Sequence, residues 1–98
     1  MHLSDRIDTH ETLRVYRQLM LLTKPMIRQI VAMFDNQYSI DREKIIKKMP
    51  STYYVVSAQL LVLVKYDLLR VEKIDGKTMY TLNRAYIKKL EAILRKSL

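Results

Sequence analysis

The chain has 98 residues, no cysteine, one glycine and two prolines, and its 18 Lys+Arg outweigh 10 Asp+Glu to give a formal net charge of +8. A length of this order makes one domain over 1–98, burying only about two-thirds of its unfolded surface, so that association would add to a modest core; without cysteine it has neither disulfides nor thiolate metal sites, and no apolar run approaches the roughly 20 residues of a bilayer span. The positive balance favours a polyanionic partner, nucleic acid first, although an ordinary basic surface carries the same count.

The opening, Met1-His2-Leu3-Ser4-Asp5-Arg6, has no apolar signal stretch, so a reducing cytoplasm is the expected compartment. From Ser4 to Thr23 the pattern reads as a first helix, with Ser4 as N-cap and Asp5 in the first turn, where a carboxylate suits the helix dipole. Its apolar residues cover more than one face towards the C-terminal end, which suggests two partners: the domain's own core and a second subunit. Lys24-Pro25 interrupts, because the residue before proline avoids the helical region while proline suits a helix start. Ile27, Ile30, Val31 and Phe34 then have the spacing of a second amphipathic helix, Pro25 to Asp35.

Tyr38-Ser39-Ile40-Asp41 leads into a short third helix, Arg42 to Met49, capped by Ser39 or Asp41, with Ile45, Ile46 and Met49 inward and Lys44, Lys47 and Lys48 outward. Pro50-Ser51-Thr52 is a stop and restart before a fourth helix, Tyr53 to Tyr66, whose inward stripe is Val56, Leu60 and Leu63. Asp75-Gly76 between β-compatible flanks is a strong hairpin signal, since a type I′ turn needs positive φ at both central positions. A two-residue loop pairs Lys73 with Thr78, Val71 with Tyr80 and Leu69 with Leu82, and that face is expected on the core. Asn83 then caps a last helix through Leu98.

This order predicts a mainly α fold with one β-hairpin, a winged helix-turn-helix: 39–66 the helix-turn-helix, 69–82 the wing. The second helix of such a unit enters the major groove and the hairpin reaches the flanking backbone. The stretch MPSTYYVVSAQLLVLVKYDLL, Met49 to Leu69, lies without gaps on the pattern L-G-L-S-x-x-T-V-S-R-H-L-x-x-L-x-x-A-G-L-V. Lys24-Pro25 through Phe34 is similar to D-P-x-R-x-x-I-L-x-x-L, and Asp75-Gly76-Lys77-Thr78-Met79-Tyr80 to a G-R-x-V-Y-Y wing. Over Leu22 to Leu82 the chain thus resembles the arsenic-repressor-like (ArsR) group of winged-helix transcription regulators. The resemblance puts Thr52 at the helix-capping serine, Val56 at the valine, Ser57 at the second serine, Gln59 at the histidine and Leu60 and Leu63 at the two core leucines. It also implies a dimer built on the first and last helices, 1–23 and 83–98.

Several positions depart from the pattern. The usual arginine is Ala58, the preceding threonine is Val55, and the glycine closing the recognition helix is Asp67. Metal-sensing members use cysteines or His/Asp clusters; here His2 and His10 are eight residues apart, not the i, i+4 spacing that places two ligands on one helical face, so no metal and no cofactor is expected. Ser51 to Leu69 holds one lysine and one aspartate, whereas specific readout normally uses Arg on guanine or Asn/Gln on adenine. Thr52, Tyr53, Tyr54 and Ser57 offer hydroxyls for phosphates or base edges, and Gln59 an amide; the plain alternative is that the two tyrosines shield the turn. Lys44, Lys48, Lys73 and Lys77 are the expected phosphate contacts. Residues 84–98 add five positive and one negative charge, read as a solvated face.

The expected dimer interface comprises Leu13, Tyr16, Met20, Tyr86, Leu90, Ile93 and Leu94, unless these only close the monomer core. Leu61 and Val64 are expected either under the first helix or as a protein-binding patch. The functional expectation is a homodimeric regulator reading an inverted repeat of double-stranded DNA, with no membrane partner. The alternative is a winged-helix module for protein–protein assembly. An enzyme is not expected, since no nucleophile–base pair or metal cluster can be assembled. Operator, effector and sign of regulation are not written in these residues.

Overall fold

The computed structural model describes residues 3–97, with side chains over 11–96. Eight elements follow in chain order: α1 (Leu3–Thr23), α2 (Pro25–Ala32), β1 (Ser39–Asp41), α3 (Arg42–Lys48), α4 (Tyr53–Lys65), β2 (Leu69–Ile74), β3 (Lys77–Leu82) and α5 (Arg84–Ser97). The five helices and the hairpin are those expected from the periodicity. α1 starts one residue before the expected cap, and the Ser4 side chain lies outside the described ones, as does Leu98 at the far end. α2 opens on Lys24 in extended conformation with Pro25 in its first turn, and stops at Ala32, three residues short of Asp35.

The sheet has three strands rather than two, in the order β1-β3-β2. Ser39-Ile40-Asp41, read from sequence as a lead-in to α3, pairs antiparallel with β3 through Ile40 opposite Tyr80. Three residues are too few for alternation to show, and only the burial of Ile40 marks the strand. Asp41 both ends β1 and caps α3, its Oδ1 accepting from the Glu43 amide at 3.2 Å, which resolves the choice left between Ser39 and Asp41. The hairpin register is the expected one: Leu69 with Leu82, Val71 with Tyr80, Lys73 with Thr78. Asp75 and Gly76 have φ of 51° and 77°, both positive as the turn requires.

The hairpin's inner face is only partly on the core. Leu69 and Tyr80 are buried, but Val71 is 45% exposed and the rest of β2 lies open. β2 is an edge strand, and packing covers its base alone. Beneath it Phe34, Ile27, Ile30, Ile45, Leu68 and Leu90 form one buried cluster with Val56, Leu60 and Leu63 of α4.

α4 ends in a Schellman motif: the Leu68 amide donates to the Leu63 carbonyl (2.9 Å) and the Asp67 amide to the Val64 carbonyl (3.1 Å), with Asp67 left-handed at φ 60°. Aspartate thus holds the position that the ArsR pattern fills with glycine. α1 completes this helix end. The Gln18 amide donates to the Tyr66 carbonyl (2.8 Å), and Arg14 donates to the Lys65 carbonyl (3.2 Å) and pairs with the Asp67 carboxylate (2.7 Å). Gln18 is buried at 1% exposure and also accepts from the Tyr86 hydroxyl of α5.

Candidate nucleic-acid interface

α4 presents its polar and aromatic side chains outward because Val56, Leu60 and Leu63 bind the opposite face to the core. Thr52 caps the helix, its Oγ1 accepting from the Val55 amide at 3.3 Å, which leaves the hydroxyl proton free to donate outward. Tyr53 and Tyr54 open the first turn with rings edge to face, centroids 5.7 Å apart, and Tyr54 is 82% exposed. Ser57 and Gln59 are half-buried, while Ala58 between them is exposed.

Arg42, expected from the sequence only as the first residue of the third helix, organises this face. Its Nη2 donates at 3.1 Å to both the Tyr53 hydroxyl and the Ser57 Oγ, and its guanidinium lies 5.4 Å from the Tyr53 ring centroid. Its Nε is buried without a hydrogen-bond partner. The first residue of α3 thus fixes two side chains of α4, and the only sequence signal is an arginine just after the Asp41 cap. Burial pushes the Tyr80 phenol above its ordinary pKa, and the charge of Arg42 opposes that shift.

Lys44 and Lys48 of α3 and Lys73 and Lys77 of the hairpin are all exposed, as are Lys47 and Arg70. Arg84, expected on a solvated face, instead donates to the Phe34 and Gln37 carbonyls and holds the loop between α2 and β1. Among the expected partner-facing residues, Leu13, Tyr16 and Met20 are 48–49% exposed on α1. They border a groove of about 390 Å³ together with Arg17, Lys24 and Tyr66. Leu90, however, is 1% exposed and belongs to the monomer core, because α5 packs against α1; Tyr86 is half-buried with its hydroxyl engaged by Gln18. Leu61 is not covered by α1, at 71% exposure, whereas Val64 is half-buried.

No group of three or more potential metal ligands occurs among the described residues. His2 and the His10 side chain lie outside them. No helix among the described residues is long and apolar enough to cross a membrane.

No protein-family model matches the chain, and no curated protein matches it by sequence. Solved structures do. An ArsR-like transcriptional regulator from Rhodococcus sp. RHA1 superposes with a TM-score of 0.73 at 13% identity, covering 89% of this chain and 81% of that one. The fold is the ArsR-like winged helix. A possible transcriptional regulator for arsenical resistance gives a TM-score of 0.71 at 20% identity, with 81% of each chain covered. The transcriptional repressor PagR of Bacillus anthracis gives 0.65 at 19% identity, covering 91% of this chain and 99% of that one. In the frame of this winged helix, α3 and α4 are the helix-turn-helix and β2–β3 the wing.

Proposed function

We propose that this winged helix is a DNA-binding transcriptional regulator that acts as a homodimer on an inverted repeat, rather than an enzyme. The observation that carries the reading is the exposed start of α4, with the Thr52 cap, Tyr53 and Tyr54 open, Ser57 and Gln59 half-buried beside them, and exposed lysines on α3 and the wing. A net +8 chain supplies the counterion-releasing charge that duplex binding draws on. The solved structures that share the fold are named as transcriptional regulators and a repressor, which supports the same reading.

The dimer rests on α1. Leu13, Tyr16 and Met20 fall at i, i+3 and i+7, a single face half open to solvent in the monomer. On α5, Ile93 is 42% exposed and Leu94 half-buried, and both are assigned to the interface; Leu90 is left to the interior and Tyr86 is half-buried. A twofold pairing through these helices sets two copies of α4 roughly 34 Å apart, one turn of duplex. Sensing through this interface and sensing through a partner protein both fit the arrangement.

Selection of bound sequences from a random duplex pool tests the proposal. Enrichment of two inverted half-sites centred about one turn, roughly 10 base pairs, apart is the expected result. A pool that shows no enrichment refutes specific regulation. A monomeric mass in solution that is unchanged by Met20→Glu refutes the dimer.

A further inference from the structure

Tyr54, Ala58 and Leu61 succeed one another at i, i+4 and i+7, and at 3.6 residues per turn they fall within an arc of about 60° opposite Val56, Leu60 and Leu63. All three are exposed, Tyr54 at 82% and Leu61 at 71%. The cation on this stripe is Lys65, at its far end, with its ammonium drawn 5.8 Å from the Tyr66 ring. Gln59, the one amide of α4, is half-buried to the side. A helix face bound for the major groove therefore carries neither the arginine fork that reads guanine nor an exposed amide that reads adenine. What it offers at the centre is a leucine, a methyl group and the edge of a phenol ring.

One feature of a base edge in the major groove is apolar, the C5-methyl of thymine. We propose that α4 reads DNA chiefly through thymine methyls, packed against Tyr54, Ala58 and Leu61; this rests on the DNA-binding reading above. The stripe from Tyr54 to Leu61 runs about 10 Å at 1.5 Å per residue, the length of about three base-pair steps. The half-site then holds thymines within three consecutive base pairs. The lysines of α3 and the wing are exposed and supply charge that can hold phosphates irrespective of sequence. This division of labour is why DNA, rather than an apolar protein surface, is the occupant assigned to the stripe.

Uracil provides the test, because it pairs with adenine as thymine does and lacks only the methyl. The selected duplex is prepared with thymine or uracil at each enriched position, and affinities are measured for the wild type, Leu61→Ala, and Lys73→Ala with Lys77→Ala. Each contacted methyl, about the size of one buried methylene, is worth about fourfold in affinity. Wild-type protein is expected to lose that factor per uracil at two or three positions. Leu61→Ala, an exposed change, abolishes the discrimination at one of them. The double lysine variant weakens thymine and uracil duplexes equally. An enriched site without thymine, or equal affinity for thymine and uracil duplexes, overturns the inference while leaving DNA binding in place, and leaves a protein partner as the occupant of the stripe. A pool without any enrichment overturns the parent reading itself.

Discussion

Arg42→Lys separates positioning from charge. The guanidinium spans two hydroxyls, Tyr53 and Ser57, from one nitrogen and lies against the Tyr53 ring. A lysine keeps the positive charge but loses the planar fork and the face-on contact. The effect on stability is small. Two hydrogen bonds to partly exposed hydroxyls and a cation–π contact of about 0.5–1 kcal/mol are lost, and the penalty of a buried, unpartnered Nε disappears with them. The net change is expected within about 1 kcal/mol. Binding responds more. On the proposed reading, two hydroxyls released from their fixed rotamers each forfeit roughly 0.5–1.5 kcal/mol of hydrogen bonding to DNA, together about 1–3 kcal/mol or roughly 5- to 100-fold in affinity. Titration of a labelled selected duplex at several salt concentrations, beside a thermal melt, reads both. The slope of log affinity on log salt stays as in the wild type, because the count of charges is unchanged. Wild-type affinity in the lysine variant, or a loss matched by an equal fall in stability, refutes the positioning role.

Other perturbations follow from single features. Gln18→Leu leaves the Tyr66 carbonyl and the Tyr86 hydroxyl without their buried partner and is expected to cost about 2–4 kcal/mol in chemical denaturation. Gly76→Ala meets no atom within 4 Å, so its cost, about 1 kcal/mol by the same assay, comes from the positive φ alone. Lys73→Ala with Lys77→Ala should lower the magnitude of the salt slope by about 1.8 if both contact phosphate. With its pKa raised by burial, the Tyr80 phenol holds its proton in the folded state at pH values where the unfolded chain releases it. Its contribution is therefore whole below the ordinary tyrosine value and lost as pH rises from there through the raised value of the folded state; Tyr80→Phe should flatten that alkaline loss in a melt series.

Much of this fold was legible because its signals are local. Asp75-Gly76 fixed the hairpin register to the residue, and Val56, Leu60 and Leu63 gave the inward face of α4 from spacing alone. β1 escaped because a three-residue strand has no period, and its partner, β3, could be known as a central strand only after folding. Periodicity likewise identified Leu90 as apolar but not which neighbour it meets, so a core residue was taken for a partner-facing one. The polar network was the least visible part. Gln18, Arg42 and Arg84 reach groups far along the chain, 48 residues away for Gln18 to Tyr66, and nothing in their flanking sequence distinguishes them from solvated side chains.

The clasp at the end of α4 gives α1 two obligations on adjacent positions. Arg14, Arg17 and Gln18 grip the terminus at Lys65–Asp67, while Leu13, Tyr16 and Met20, interleaved with them, stay half open to solvent along the adjoining groove. Because one rigid rod carries both sets, a twist of about 30° that reseats the second set drags the first by several ångströms at the side-chain tips. The bonds at 2.7–3.2 Å do not stretch that far. Whatever docks along α1 must therefore either accept the rod's present rotation or unlatch the carbonyls at the end of α4.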